Sequence, residues 1–371
     1  MTELTQESWL NLFAQTPGAV GATAEFRVVR RGGRPFLFLP ASPRLAARAL
    51  ALYPAQSAKA RLAKTLLRLA LNLGIHPGLD HLSLTVLRSD AFAAFLGRTA
   101  GLADGLLPRF AVLAGNPNAP GRRDVILLFD ASGQPAAVVK AGHREAARQL
   151  IAREVALLRS APSRAAALPR VRDTFAPANA EAFSMDFIAG ESPTSESRAE
   201  LAKMFASWLE PAREVALGEL PAWQRLCSRV AEGPLPQPVL ALGDRRVRPT
   251  LMHGDFAPWN VKVSRGRWTV LDWERGELAG IPGWDWFHFV MQPALLVRHE
   301  TSEAMLARLE GLLRSTEFVD YAQNAGTAES ARPLAYAYLM NCLRVTQQTE
   351  GRAGLEALTG LAAGRWFSET R

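Results

Sequence analysis

The sequence predicts an α+β fold, with strands concentrated in the first half and helices in the second. Three observations carry this. Short β-branched and apolar runs, each bounded by turn residues, recur between residues 26 and 188. Beyond residue 191 the apolar positions recur at three- and four-residue spacing over long stretches. One hairpin, residues 260–273, interrupts that helical pattern and carries polar residues at both of its ends. With 371 residues, 48% hydrophobic and 21% charged, the chain is long enough for two or three globular domains with substantial cores.

The front region, residues 1–105, opens on Phe26 to Leu39 (FRVVRRGGRPFLFL), a hairpin turning at Arg31-Gly32-Gly33-Arg34. Pro43 to Leu73 has helical period and is broken near Pro54; Gly74, Pro77 and Gly78 end it. Within it, Lys64 to Leu73 places Leu66, Leu67, Leu69, Ala70 and Leu73 among basic residues. Two readings stand for that segment: docking against neighbouring protein, or lying on a membrane surface. The region reads as an accessory α+β domain or an elaboration of the part that follows, and no chemistry-bearing constellation falls in it.

Residues 106–190 read as alternating strands around one helix. Phe110 to Gly115 is the first strand, Asp124 to Ala131 the second, and Ala136 to Lys140 the third, after a turn at Ser132-Gly133-Gln134-Pro135. Val171 to Phe175 and Ala182 to Ile188 are two more. The helix is His143 to Ser160, whose apolar stripe of Leu150, Ile151, Leu157 and Leu158 includes Glu154. A carboxylate in such a stripe is costly unless paired. Lys140, closing the preceding strand, is the nearest upstream cation suited to pair with it.

Residues 191–371 read as mainly helical: Ser195 to Ala216, Pro221 to Glu232, Pro293 to Arg314, Glu317 to Asn324 and Arg332 to Thr349. The exception is HGDFAPWN, residues 253–260, followed by VLDWE, residues 270–274. Asn260 to Val263 reads as a strand, Ser264-Arg265-Gly266-Arg267 as its turn, and Trp268 to Trp273 as the returning strand. Such a hairpin brings Asn260 and Asp272 together at its open end, with Asp255 five residues upstream in a loop that Gly254 and Pro258 keep irregular. One carboxylate, one carboxamide and phosphate oxygens form a shell that suits Mg²⁺, a hard cation that prefers oxygen. Asp255 then remains to accept a hydroxyl proton.

HGDFAPWN and VLDWE resemble the HGDxxxxN motif and metal-binding strand of the aminoglycoside phosphotransferase and choline kinase-like family, which shares the protein kinase fold. The resemblance covers about residues 106–371 and is specific near 253–285. It implies a two-lobed protein kinase-like α+β fold with an N-terminal accessory α+β region. Residues 106–190 would form a small β-rich nucleotide lobe, and residues 191–371 a larger helical lobe with the catalytic and acceptor site. It implies that Asp255 is the catalytic base, that Asn260 and Asp272 are metal ligands, and that Asp285 in GIPGWDWFHF braces the catalytic loop. A site of this kind needs a lysine on the α- and β-phosphates and a carboxylate to hold it, which Lys140 and Glu154 supply. The strand MDFIAG matches the one leading into the adenine pocket, so Met185, Phe187 and Ile188 are candidates to line it. The loop NPNAPGRR, residues 116–123, stands where a phosphate-covering loop belongs but lacks GxGxxG. Its backbone amides can contact phosphate, and Arg122 and Arg123 either assist or are surface charge.

The expected activity is therefore transfer of the ATP γ-phosphoryl group, with Mg²⁺, to a hydroxyl of a sugar, aminoglycoside-like or amino-alcohol acceptor. Protein phosphorylation is disfavoured, because the short gap from Asp272 to Asp285 leaves no room for a peptide-docking activation loop. A rival reading is a catalytically silent nucleotide-binding scaffold acting through the basic front region. The net charge of +8 divides as +6 on residues 1–105, +4 on 106–190 and −2 on the remainder. The front half thus favours an anionic partner. No arginine–aromatic interleaving accompanies it, so there is no clear nucleic-acid signal. No apolar run is long enough to span a bilayer, the first residues show no basic n-region followed by an apolar h-region, and Cys227 and Cys342 lack metal or redox spacing. Cytoplasm is the expected compartment. Trp259, Trp273, Trp284, Trp286, Phe287 and His288 either stack on a sugar-like acceptor or pack beneath the catalytic loop. His253 and His288 read as structural rather than metal-binding.

Overall fold

The structure, a computed structural model, describes residues 8–14, 21–53, 55, 58–75, 79–116, 121–193, 197–229 and 234–367. Pro54, the stop at Pro77–Gly78, residues 117–120 of the NPNAPGRR loop and the expected helical residues 195–196 and 230–232 lie outside them. The chain divides into two compact units, residues 1–159 with 169–188, and residues 160–168 with 189–371.

The first unit is built on one antiparallel sheet of eight strands: β1 (Gly21–Arg31), β2 (Arg34–Pro40), β3 (Asp80–Leu87), β4 (Phe110–Leu113), β5 (Asp124–Phe129), β6 (Pro135–Gly142), β7 (Asp173–Phe175) and β8 (Glu181–Asp186). Their order is β3-β1-β2-β4-β5-β6-β8-β7. The β1–β2 turn places both Gly32 and Gly33 at positive φ, the geometry whose twist matches paired strands. Leu37 and Phe38 of β2 pair with Leu113 and Val112 of β4, so the sheet runs without a break across residue 105.

Side chains alternate across this sheet with a period of two. Phe38, Phe110, Val112, Ile126 and Leu128 face one core, which Trp9, Phe13, Phe92 and Phe95 fill. Leu37, Leu39, Ala111, Leu127 and Phe129 face the other. That second core is closed by α1 (Pro43–Ala49) and α2 (Ala58–Asn72), through Leu45, Ala46, Leu50 and Leu71. The unit's other helices are α3 (Ala91–Thr99), capped by Asp90 accepting from the Ala93 N–H at 2.7 Å, and α4 (Glu145–Ser160).

The second unit is mostly helical, with three small antiparallel pairs. In chain order it contains α5 (Arg198–Trp208), β9 (Val215–Ala216), α6 (Pro221–Cys227), α7 (Gln237–Leu240), β10 (Arg246–Val247), β11 (Thr250–Met252), β12 (Val261–Ser264), β13 (Arg267–Val270) and β14 (Glu277–Gly280). It ends with α8 (Trp284–Leu296), α9 (Ser302–Leu313), α10 (Thr316–Ala325), α11 (Ala331–Arg344) and α12 (Arg352–Phe367). Trp208, Phe205, Phe256, Trp273 and Trp286 pack together beneath the 253–260 loop with ring centroids 5.0–5.8 Å apart.

Several boundaries differ from the sequence reading. The helix expected over Ser195 to Ala216 ends at Trp208, and Val215–Ala216 pairs with β10 instead. The returning strand of the hairpin stops at Val270, because Asp272 takes a left-handed conformation that no strand accommodates. Pro293 does not begin a helix: it lies inside α8, near the C-terminal end, and α9 begins only at Ser302. α8 escapes periodicity because it is buried on nearly every side, so no polar face marks its pitch.

Candidate active site

In the first unit, β6 and α4 place Lys140 and Glu154 side by side. Lys140 Nζ donates to Glu154 Oε1 at 2.6 Å and to Oε2 at 2.9 Å, and both side chains are buried. A buried pair survives because each charge compensates the other's desolvation. Met185 is buried in β8, while Phe187 and Ile188 just beyond it are half-buried. Gly115 sits so close to Arg123 that a Cβ would meet the Arg123 carbonyl oxygen at 2.1 Å, and its N–H donates to Asp124 Oδ1 at 3.2 Å.

In the second unit, the 253–260 loop runs from β11 to β12 and is held from below by the first turn of α8. Asp285 Oδ2 accepts from the His253 N–H at 2.6 Å, and Oδ1 accepts from the Gly254 N–H at 3.0 Å. Burial pushes the Asp285 carboxyl up from its ordinary value, against the pull of His253 and the two amides. His253 is fully buried; its Nε2 lies 2.8 Å from the Leu271 carbonyl and its Nδ1 accepts from the Asp255 N–H at 3.2 Å. The imidazole therefore ties the loop to the hairpin strand that leads to Asp272. Gly254 has φ of +77°, and a Cβ there would lie 2.6 Å from the Arg275 carbonyl oxygen, so the position admits glycine alone without displacement.

The hairpin itself is in register Val261↔Val270 to Ser264↔Arg267, with Arg265 and Gly266 both at positive φ in the turn. Asn260 ends a short 3₁₀ turn, Pro258–Asn260, and its carbonyl accepts the Leu271 N–H at 2.7 Å. This bond sets Asn260 opposite Leu271, the residue before Asp272. Asn260 Nδ2 donates to the Asp255 carbonyl at 2.9 Å, which fixes the amide against the loop backbone. Asp272 has φ 71° and ψ 56°, a conformation that costs a non-glycine residue about 1–3 kcal/mol and persists only where its surroundings enforce it. An oxygen set of one carboxylate and one carboxamide fits Mg²⁺, which takes few protein ligands and completes its shell with water and phosphate. Among the described residues, no three His, Cys, Asp or Glu side chains gather into an all-protein metal cage.

Asp255 lies on the wall of a cavity of about 490 Å³ in this unit. Its carboxylate is hydrogen-bonded to His288, Nε2 to Oδ1 at 3.0 Å, and His288 Nδ1 lies 3.0 Å from the Tyr338 hydroxyl. Burial works against charge on His288. The Asp255 bond overrides it, with Cys342 adding to the effect, and raises the imidazole to about 9. At neutral pH both ring nitrogens are then protonated, with Nε2–H donating to Asp255 and Nδ1–H to Tyr338. Burial would likewise raise the Asp255 carboxyl, but the hydrogen bond and charge of His288, with Arg275 and His253 behind them, hold it below the usual range.

The rest of the cavity wall combines polar, charged and apolar side chains. Arg225 is ion-paired to Glu277. Gln292 and Gln348 exchange amide hydrogen bonds at 3.0 and 3.3 Å. Trp284, Asn341, Thr346, Arg275 and Glu350 also line it, as do the apolar Met252, Leu296 and Val345. Of the aromatics in the sequence reading, Trp273, Trp286 and Phe287 are packed core, and Trp284 alone among the six, apart from His288, reaches the cavity. Sequence reasoning passed over the contact of His288 with Asp255, and over Tyr338 and the paired glutamines. One signal was available: Asp285 and His288 stand three apart, on one face of a helix whose other member already touches the loop.

The sequence profile of the phosphotransferase enzyme family matches residues 97–308, more than half of the chain. No curated relative matches the chain at a significant level. Among solved structures, similarity extends to a thermostable mutant of the aminoglycoside phosphotransferase APH(4)-Ia in ternary complex with ADP and hygromycin B (13% identity, TM-score 0.45, 74% of this chain and 98% of that one). A putative fructosamine-3-kinase from Haemophilus somnus 129PT is similar at 12% identity and TM-score 0.41, over 73% of this chain and 96% of that one. The APH(2")-IIa ternary complex with streptomycin and ATP is similar at 15% identity and TM-score 0.40, over 72% and 95%.

Proposed function

Because the chain belongs to the phosphotransferase enzyme family, and is thereby a small-molecule phosphotransferase, we propose that it moves the γ-phosphoryl group of ATP to a hydroxyl of a neutral, polyhydroxylated acceptor. The observation that carries this reading is the Asp255 carboxylate on the wall of a 490 Å³ cavity whose remaining surface offers hydrogen-bond partners rather than one sign of charge. The wall's carboxylates, Asp255, Glu277, Asp285 and Glu350, face the cations Arg225, Arg275 and His288, with Glu277 paired to Arg225 and Asp255 to His288, so little acidic field is left over for a polycation. Gln292, Gln348, Asn341 and Thr346 suit the hydroxyls of a sugar-like molecule, and Trp284 suits its apolar face.

Each residue has a distinct task in the reaction. Asp255 accepts the hydrogen bond of the attacking hydroxyl and points its oxygen toward the phosphorus. With His288 lowering its basicity, Asp255 contributes more by orientation than by early deprotonation, which suits a loose transition state that needs little push from the nucleophile. Lys140, fixed by Glu154, places positive charge on the phosphate oxygens. Asn260 and Asp272 would hold Mg²⁺, which when bound would neutralise phosphate charge. Met185, Phe187 and Ile188 provide apolar contacts for the base.

The test is acceptor-dependent ADP release over neutral sugars, amino alcohols and polycationic aminoglycosides, with Asp255→Ala in parallel. Neutral polyols should support turnover, and Asp255→Ala should lower it by about 10²- to 10⁴-fold. Turnover confined to polycations would overturn the acceptor assignment. Turnover unchanged in Asp255→Ala would overturn the site.

A further inference from the structure

α2 carries two apolar faces, and only one of them is used. Leu67 and Leu71 face inward onto the core closed by α1, with Leu71 fully buried. Leu62, Leu66, Leu69 and Leu73 stand on the opposite side, following the spacing i, i+4, i+7, i+11, and are 60%, 57%, 54% and 75% exposed. Ile75, just past the end of the helix, is 55% exposed. These five account for most of the large hydrophobic side chains exposed among the described residues. Isolated exposed leucines need no explanation, but a contiguous stripe along one helix does.

The charge around the stripe selects what covers it. Residues 41–79 contain six Arg and Lys side chains and no Asp or Glu. On the helix, Arg61 and Arg68 flank the leucines on one side and Lys59 on the other, all exposed. Lys64 turns inward, donating to the Tyr53 carbonyl at 2.7 Å. A second copy of the chain laid on this face would bring cations against cations with no acid to offset them. An anionic bilayer surface matches both features at once: acyl chains take the leucines, and phosphate headgroups take the flanking guanidinium and ammonium groups. The helix is about 22 Å long and no helix of the described residues is apolar enough to cross a bilayer, so α2 would lie in the surface plane. We infer that α2 docks this protein on anionic lipid through Leu62, Leu66, Leu69 and Leu73. The inference is independent of the reaction the enzyme catalyses.

Co-sedimentation of the full chain with vesicles tests it, comparing phosphatidylcholine alone with phosphatidylcholine containing phosphatidylglycerol. The wild type should bind the anionic vesicles, less so as salt is raised. Leu66→Gln with Leu69→Gln should lower partitioning roughly tenfold per leucine. Arg61→Gln with Arg68→Gln should lower it about fivefold per charge. All four side chains are exposed, so these variants should keep wild-type melting and turnover, which confirms folding. Failure of the wild type to bind anionic vesicles overturns the proposal, as does binding that ignores these substitutions. A concentration-dependent dimer abolished by the leucine pair, or an acidic protein that binds the helix in place of vesicles, would equally overturn it.

Discussion

Removing His288 should change how the protein responds to alkali. The imidazole sits at about 9 in the folded chain, against an ordinary value near 6.5. That difference corresponds to about 3 kcal/mol of preferential stabilisation of the folded state by the protonated ring. His288 is almost wholly buried, so solvent screening takes little from this figure. The sign follows from a raised value. Both folded and unfolded chains hold the proton below about pH 6.5, and there the contribution is complete. Between about pH 6.5 and pH 9 the unfolded chain has lost the proton and the folded chain keeps it, so the contribution falls with rising pH and is gone above about 9. Thermal or urea unfolding of wild type and His288→Gln, measured from pH 6 to pH 10, should therefore converge as pH rises. The wild type should lose about 3 kcal/mol over that window that the variant does not lose. In the same variant Asp255 no longer has its charged partner, and the loss of positioning should lower turnover by about ten- to a hundredfold. Parallel stability curves across the window would refute the assignment of a charged imidazole on Asp255.

Three further outcomes follow from the same geometry. Lys140→Met strands a buried Glu154 carboxylate and should cost about 3–5 kcal/mol in denaturant unfolding, whereas Lys140→Met with Glu154→Leu should recover most of that while remaining inactive. Asp285→Ala leaves the His253 and Gly254 amides without their acceptor, which should cost about 1–3 kcal/mol for each one left buried and lower kcat with little change in acceptor KM. Asn260→Ala and Asp272→Asn should each raise the Mg²⁺ concentration needed for half-maximal turnover, while the calorimetric melt of the metal-free protein shifts far less than in Asp285→Ala.

What the sequence discloses is local, and what it conceals is long-range. The Lys140–Glu154 pair is legible because a carboxylate inside an apolar helical stripe demands a cation, and the preceding strand ends on one. The setting of Asn260 opposite Leu271, the residue before Asp272, is legible because a two-residue turn at Arg265-Gly266 fixes the register of everything outward from it. The continuity of the sheet across residue 105 is hidden, since β2 pairs with β4 over three intervening helices and a strand, a pairing that no local pattern announces. α8 is hidden because burial on all sides erases the amphipathic signal and Pro293 reads as a beginning rather than an interior residue. The contact of His288 with Tyr338 joins residues fifty positions apart and has no local signature at all.

The first turn of α8 explains why the loop can be both irregular and exact. A loop containing Gly254 and Pro258 has few hydrogen bonds of its own, and left to itself would sample many conformations. Asp285 removes that freedom at the backbone of residues 253 and 254, and His288, three positions along the same helix face, removes it at the Asp255 side chain. Because both braces come from one rigid element, the carboxylate cannot shift relative to the backbone that carries it. The charged imidazole exacts a loss of basicity in return. Phosphoryl transfer tolerates that loss better than acyl transfer or proton abstraction would, because its transition state is governed by alignment and charge neutralisation rather than by the strength of the nucleophile. The brace is therefore compatible with the role proposed for Asp255, since a base held this firmly need not be a strong one.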